Sequence, residues 1–248
     1  MVLTKRLREA IDVHAHFFNE KAADVKRKYS DFVPHVIRDS AGHEFQSAGG
    51  RPLTPISEKY GHIYNLEKRI RDMDSSGIGV QALSVPPMYM SGFDDEVAVE
   101  VSRILNDGIA EAVNAYPDRF VGLATVPLQC PKAAVEELER SMKKPGMKGV
   151  QIGTSVNDKN LDARASDYFK LLYFDTITHY EPALNYLIKS VGSDHVLLGS
   201  DYPYDMADFD PVHSVEELKT ASSRDKRKVL WENAAKLLNI DSHDSRSM

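Results

Sequence analysis

Two histidines stand two residues apart in Ile11-Asp12-Val13-His14-Ala15-His16, an apolar and β-branched run. Side chains in a strand alternate faces, so His14 and His16 point the same way. Two imidazoles one pleat repeat apart can bind one metal ion. A solvated or internally hydrogen-bonded pair would have the same spacing. Asp12 just before the pair, and Gly199-Ser200-Asp201-Tyr202-Pro203 far along the chain, tip the balance toward metal. Asp201 sits where a strand should end, a place that suits a ligand or proton-transfer carboxylate better than a helix cap. A catalytic zinc keeps three protein ligands and one open position. Such a metal lowers the pKa of its bound water from about 15.7 to about 7. His14, His16 and Asp201 form a candidate set of that size, with Asp201 also the candidate catalytic group.

Three further residues are candidates for substrate binding. Arg51, in Gly50-Arg51-Pro52, offers a guanidinium suited to bidentate carboxylate binding. The alternative is a solvated loop arginine. Gln151 lies on an apolar strand and faces either a pocket or the core, with its amide satisfied there. His179, just past another strand, is the one histidine, beyond His14 and His16, near the expected active face. Cys130 has no placed partner and reads as structural.

The elements that must position these residues are legible as alternating patterns. Six nearly continuous apolar runs read as strands covered on both faces: Ile11–Phe17, Val80–Val85, Phe120–Val126, Gly149–Gly153, Leu172–Thr176 and Val196–Ser200. Helical spacing predicts helices over Asn65–Ser75, from Asp94 to just before Pro117, over Lys132–Lys143 behind Pro131, and over Glu181–Ser190 and Arg224–Leu238. The alternation predicts an α/β fold, a parallel (β/α) barrel of the TIM type. Residues 1–240 read as a single domain with a loop insertion at 18–63, and 241–248 as a tail. Long loops after barrel strands build the active face. The strand count falls short of eight. The gap lies between Gly153 and Leu172, and one crossover alone takes about 10–12 residues. Two βα units cannot fit there, so the barrel is expected to be incomplete.

Composition narrows the class. The chain has 248 residues, 42% hydrophobic and 27% charged, the proportions of a globular domain with a sizeable core. A net charge of −6 gives no reason to expect nucleic acid. No run approaches ~18 apolar residues, so no membrane span is expected. The first residues lack the apolar core of a signal peptide, and a single cysteine suits a reducing compartment. A cytoplasmic location and a homodimer are expected.

Read together, these segments resemble the metal-dependent amidohydrolase superfamily, and within it the aminocarboxymuconate-semialdehyde decarboxylase branch. The resemblance rests on Ile11 to Phe18, Gly50-Arg51-Pro52, Arg71-Asp72-Met73-Asp74, Ala124 to Gln129, Lys148 to Gly153, Tyr173-Phe174-Asp175-Thr176, His195 to Tyr204 and Glu232 to Leu238. It implies a distorted eight-stranded barrel with a divalent metal, usually zinc and alternatively manganese, at the carboxyl ends of the strands. The implied ligands are the His-x-His pair, a histidine of strand 5 and the aspartate of strand 8, with a histidine of strand 6 as base. His14, His16 and Asp201 match, and Arg51 matches the arginine that binds the substrate carboxylate. The strand 5 and strand 6 histidines have no counterpart. The chain passes from Arg164, which belongs after strand 4, to Asp167, which belongs before strand 7. The implied activity is decarboxylation of a small unsaturated or aromatic carboxylic acid, a small-molecule carboxylate being the partner. Amide or lactone hydrolysis uses the same chemistry. A shortened, non-catalytic isoform pairing with full-length subunits is the third reading, because losing a base costs ~10²–10⁴-fold in rate.

Overall fold

The computed structural model describes residues 10–18, 35–38, 40–41, 44–48, 51–55, 65–86, 94–153, 155–156, 159–160, 172–204 and 206–240. Strand β1 (Ala10–His16) pairs in parallel with β5 (Ile78–Ser84), β5 with β6 (Phe120–Ala124), and β6 with β7 (Met147–Val150). On the other side of β1, parallel bridges join Asp12 to Leu198 and Ala15 to Tyr202. Leu198 directly follows β11 (Val196–Leu197), which pairs in parallel with β10 (Phe174–Asp175). These six strands thus form one arc in the order β10, β11, β1, β5, β6, β7. All six sequence-predicted strands are present, in the order of a TIM-type barrel, with β7 and β10 at the two ends of the arc among the described residues.

The helices that link these strands start and stop for local reasons. Helix α1 (Leu66–Ser76) opens on Asn65, whose side chain accepts from the Lys68 amide, and ends at Gly77, φ 76°. Only glycine takes that left-handed turn freely, and the next residue begins β5. Helix α2 (Asp95–Ala115) buries Ala98, Val101, Leu105, Ile109 and Val113, one stripe of a 3.6-residue period, in the core with Phe120. It stops at Tyr116, before Pro117. Helix α3 (Pro131–Met142) begins with proline, whose missing N–H costs nothing there.

A buried polar knot ties these helices to the end of β6. Asn106 accepts from the Thr125 amide and donates to the Thr125 carbonyl and to Glu137. Glu137 also accepts from Arg140 and Ser141. The strand end that faces the site is therefore held by side chains of two helices.

Three sequence expectations need correction. The strand expected at Gly149–Gly153 begins earlier, at Met147, because Gly122 pairs with Met147 and the Gly122 amide reaches Gly146. The predicted helix Arg224–Leu238 is three pieces: α6 (Ser223–Arg227), a π turn (Lys228–Glu232) and α7 (Asn233–Leu238). In the wide turn the Val229 carbonyl accepts from the Leu198 amide, so the helix yields a bond to the sheet. The insertion at 18–63 carries an antiparallel sheet of β2 (His35–Arg38), β3 (Glu44–Ala48) and β4 (Arg51–Pro55), where only loop was expected. Further short elements are the hairpin β8 (Ser155–Val156) and β9 (Lys159–Asn160), and helices α4 (Glu181–Val191) and α5 (Pro211–Glu216). The break placed between Arg164 and Asp167 and the tail 241–248 lie outside the described residues.

Candidate metal centre

The three predicted ligands meet. His14 Nε2 lies 3.5 Å and His16 Nε2 3.2 Å from Asp201 Oδ1. One ligand atom from each residue falls within 4.8 Å of the others. His14 and His16 leave β1 on one face, as strand geometry requires, their rings meeting edge to face at 5.0 Å. Asp201 is brought beside them by the backbone, its amide donating to the His14 carbonyl at 2.8 Å. Asp201 has φ 60°, a left-handed conformation that aspartate visits more readily than most residues. Such strain in a non-glycine residue is commonest at functional sites.

The hydrogen bonds around the two rings decide which nitrogen faces the centre. His14 Nδ1 lies 2.7 Å from Asp175 Oδ2, a carboxylate that can only accept. His14 therefore carries its proton on Nδ1. Ser84 Oγ donates its single proton to the Ala15 carbonyl, so toward His16 Nδ1, 3.3 Å away, it can only accept. His16 is likewise protonated on Nδ1. In their neutral forms both rings turn Nε2 lone pairs toward Asp201 Oδ1. In that form the two Nε2 atoms and the carboxylate oxygen offer three ligand atoms to a single cation. The donor set fits a divalent metal: imidazole and carboxylate suit zinc, and both also serve manganese.

Electrostatics separate the two histidines. Burial works against charge on His14, but the Asp175 hydrogen bond and charge outweigh it and raise its pKa. Burial dominates at His16 and lowers its pKa. Asp175 resists its own burial, and His14 holds its carboxyl below the ordinary value.

The remaining sequence candidates lie on other elements. Arg51 opens β4, and its side chain lies outside the described structure. Gln151 follows β7, its backbone N–H donating to the Ala124 carbonyl. Its Oε1 is buried with no hydrogen-bond partner among the described residues, which suits a site that receives a donor from a ligand. His179 is exposed in the turn after β10, with φ 51°, and is not one of the three converging residues.

Sequence reasoning missed Asp175 and Ser84 as ring partners, and Gln81 and Arg69 beneath the site. Each carried a signal. Gln81, Ser84 and Asp175 are polar residues in apolar strand runs, and Arg69 interrupts the apolar stripe Leu66, Ile70, Met73. Buried polar side chains are the informative exceptions in a core.

Comparison with known proteins gives the lineage. The profile of the family described as Amidohydrolase matches residues 11–172 and 160–240. The chain belongs to that family. It is 23% identical to the 2-amino-3-carboxymuconate-6-semialdehyde decarboxylase of Dictyostelium discoideum, over 93% of this chain and 92% of that protein. It is 32% identical to the gamma-resorcylate decarboxylase of Rhodococcus jostii, over 60% of this chain and 43% of that one. Among solved structures, the 5-carboxyvanillate decarboxylase of Novosphingobium aromaticivorans, complexed with manganese and 4-hydroxy-3-methoxy-5-nitrobenzoic acid, shares the fold. Its TM-score is 0.69 at 20% identity, covering 93% of this chain and 96% of that chain. The Dictyostelium alignment spans 333 positions against 248 residues here, so that protein has stretches without counterpart in this chain. The two family matches meet at 160–172, the region where the sequence pattern breaks.

Proposed function

We propose that this member of the amidohydrolase family is a metal-dependent carbon–carbon lyase that removes carbon dioxide from a small unsaturated or aromatic carboxylic acid. The observation that carries this reading is the convergence of His14 Nε2, His16 Nε2 and Asp201 Oδ1, three ligand atoms within 4.8 Å of one another. The names of the relatives support the reaction class. The manganese in a structure of the same fold supports manganese as the metal, with zinc the alternative.

A divalent cation held by these three atoms would supply positive charge for substrate oxygens and lower the pKa of a bound water. The chain's own residues do the rest. Asp175 and Ser84 fix the Nδ1 protons of His14 and His16, which keeps both Nε2 lone pairs on the centre. Asp201 sets the third donor and is the acid–base group of the described site. Arg51 binds the substrate carboxylate through its guanidinium. Gln151 Oε1 accepts a hydrogen bond from a hydroxyl or amine of the substrate.

A second reading is favoured by one specific observation. Residues 154–171 contain no histidine, so the two histidines implied for strands 5 and 6 are missing. On that reading the chain binds metal poorly, does not turn over, and acts by pairing with full-length subunits. One experiment separates the two. Protein stripped with a chelator and reloaded with manganese should hold about one ion per chain. It is then assayed for carbon dioxide release from γ-resorcylate and 5-carboxyvanillate. Release supports the lyase. Bound metal without release counts against the lyase, and a folded chain that binds neither manganese nor zinc sinks the lyase and supports the non-catalytic reading.

A further inference from the structure

Beneath the candidate metal centre lies a chain of buried polar side chains that the proposed reaction does not use. Arg69, on α1, is 1% exposed and Asp12, on β1, is fully buried. They are joined through one amide. Arg69 Nη1 donates to Gln81 Oε1 at 2.8 Å, and Gln81 Nε2 donates to Asp12 Oδ2 at 2.7 Å. Because a guanidinium can only donate, it fixes which end of the Gln81 amide faces it. The other end must then donate to Asp12.

Both ends of this chain hold the ligands or their immediate neighbours. Asp12 Oδ1 accepts from the amide of His14 and from the amide of Ser200, each at 3.1 Å. Asp12 Oδ2 also accepts from Ser200 Oγ at 2.6 Å, and Ser200 Oγ in turn accepts from the Tyr202 amide. Arg69 Nη2 donates to the His16 carbonyl at 2.6 Å. The guanidinium carbon sits 4.3 Å from the Tyr202 ring centroid. Each of His14, His16 and Asp201 is thus tethered at its own backbone or at an adjacent residue.

We propose that Arg69, Gln81 and Asp12 act as a positioning relay that sets the separation of the three donor atoms. The inference rests on the metal-centre reading above. Burying two ionisable groups carries a heavy desolvation penalty, and apolar residues of similar volume would bind β1 to β5 as well or better. What apolar residues cannot do is hold two backbone amides on β1 and residue 200, and the carbonyl of His16, at fixed hydrogen-bond distance. Donor positions must be held within about 0.5 Å for a productive site.

The test reverses the polarity of the relay. Gln81→Glu sets a carboxylate oxygen against Asp12, and Asp12→Asn sets an amide nitrogen against the Gln81 amide nitrogen. In the double variant the new amide at position 12 donates to the new carboxylate at position 81, which still accepts from Arg69. The amide oxygen at position 12 still accepts the two backbone N–H groups, and its nitrogen, with two protons, donates to Ser200 Oγ as well, reversing that bond. The readout is cobalt(II) titration of the full chain, following its visible absorption, with circular dichroism and melting of the metal-free protein in parallel. Each single variant should keep the native metal-free spectrum and weaken cobalt binding about 10- to 100-fold. The double variant should return to within about threefold of the unaltered chain, the coupling expected of neighbours in one network. Should either single variant fail to fold, Arg69→Lys carries the test. It keeps the charge but loses the flat fork, and it should weaken binding about tenfold. Singles or Arg69→Lys that bind cobalt like the unaltered chain overturn the relay, as does a double variant no better than its singles. An unaltered chain that binds no cobalt overturns the metal reading itself, and the relay with it.

Discussion

His14 Nδ1 and Asp175 Oδ2 stand 2.7 Å apart although 161 residues separate them. The carboxylate reaches the ring because β10 and β11 are carried round to β1, where Gly199 lets His14 and Asp175 close on each other. It fixes a proton on the far side of the ring and turns the near side into a ligand. Replacing Asp175 with Asn should weaken manganese binding about 10- to 100-fold at alkaline pH. The pH dependence should move as well. Asp175 raises the His14 pKa, so a proton competes with the metal up to a higher pH in the unaltered chain. Without that charge the His14 pKa falls, and the pH below which metal is lost should shift downward. Manganese titrations across about pH 5 to 9 measure both effects, and an unmoved midpoint would show that Asp175 does not set the His14 proton.

Gly199 is the spacer of this contact. A Cβ there would meet His14 Cβ at 2.9 Å and Asp175 Cβ at 3.1 Å. Gly199→Ala should therefore cost stability of about 1–3 kcal/mol by overpacking. It should also spread the ligands and weaken metal binding. Urea unfolding and metal titration of one preparation check the two together; a loss of stability with unchanged metal affinity would place the strain elsewhere.

Asp201 has two separable requirements, charge and backbone. Asparagine accepts the left-handed conformation at φ 60°, whereas alanine pays about 1–2 kcal/mol for it. Asp201→Asn should lose the metal and keep the metal-free melting temperature. Asp201→Ala should lose the metal and melt lower. Equal melting of the two would mean that the backbone at 201 is not strained.

Glu137 predicts how the fold responds to acid. Its burial favours the neutral form, but hydrogen bonds from Arg140, Asn106 and Ser141 hold its pKa below the ordinary 4.5. A lowered folded-state pKa means stability present above pH 4.5 and lost as the pH falls through the folded value. Glu137→Gln should be less stable than the unaltered chain at about pH 7, and the difference should shrink below pH 4.5. Parallel unfolding curves across that range decide it.

Arg51 makes the substrate prediction. Arg51→Ala should raise KM for carboxylate substrates far more than for neutral analogues, since a guanidinium–carboxylate pair is charge-assisted on both sides. Equal losses for the two would remove Arg51 from the carboxylate site.

Much of this site could be read without coordinates. His14 and His16 share a face because strand side chains alternate, and that holds for any strand in any fold. The six strands were visible because strands covered on both faces are apolar throughout. The helix limits at Asn65, Gly77, Tyr116 and Pro131 follow from capping and proline chemistry, which acts within a few residues. The broken helix after Ser223 was not visible, because the Val229 carbonyl leaves the helical pattern only where β11 offers it the Leu198 amide.

The local spacing of His14 and His16, the strand-end setting of Asp201, and the alternation of strands and helices were thus determined by the sequence, since each is set by neighbours in the chain. The tertiary structure alone decided that Asp175 and Ser84 hold the rings, and that Arg69 and Gln81 lie beneath them with Asp12. Those pairings join side chains of different elements, most of them distant in the chain. A polar side chain inside an apolar run announces that it needs a partner, and only the packing of the strands determines which group stands within about 3 Å of it.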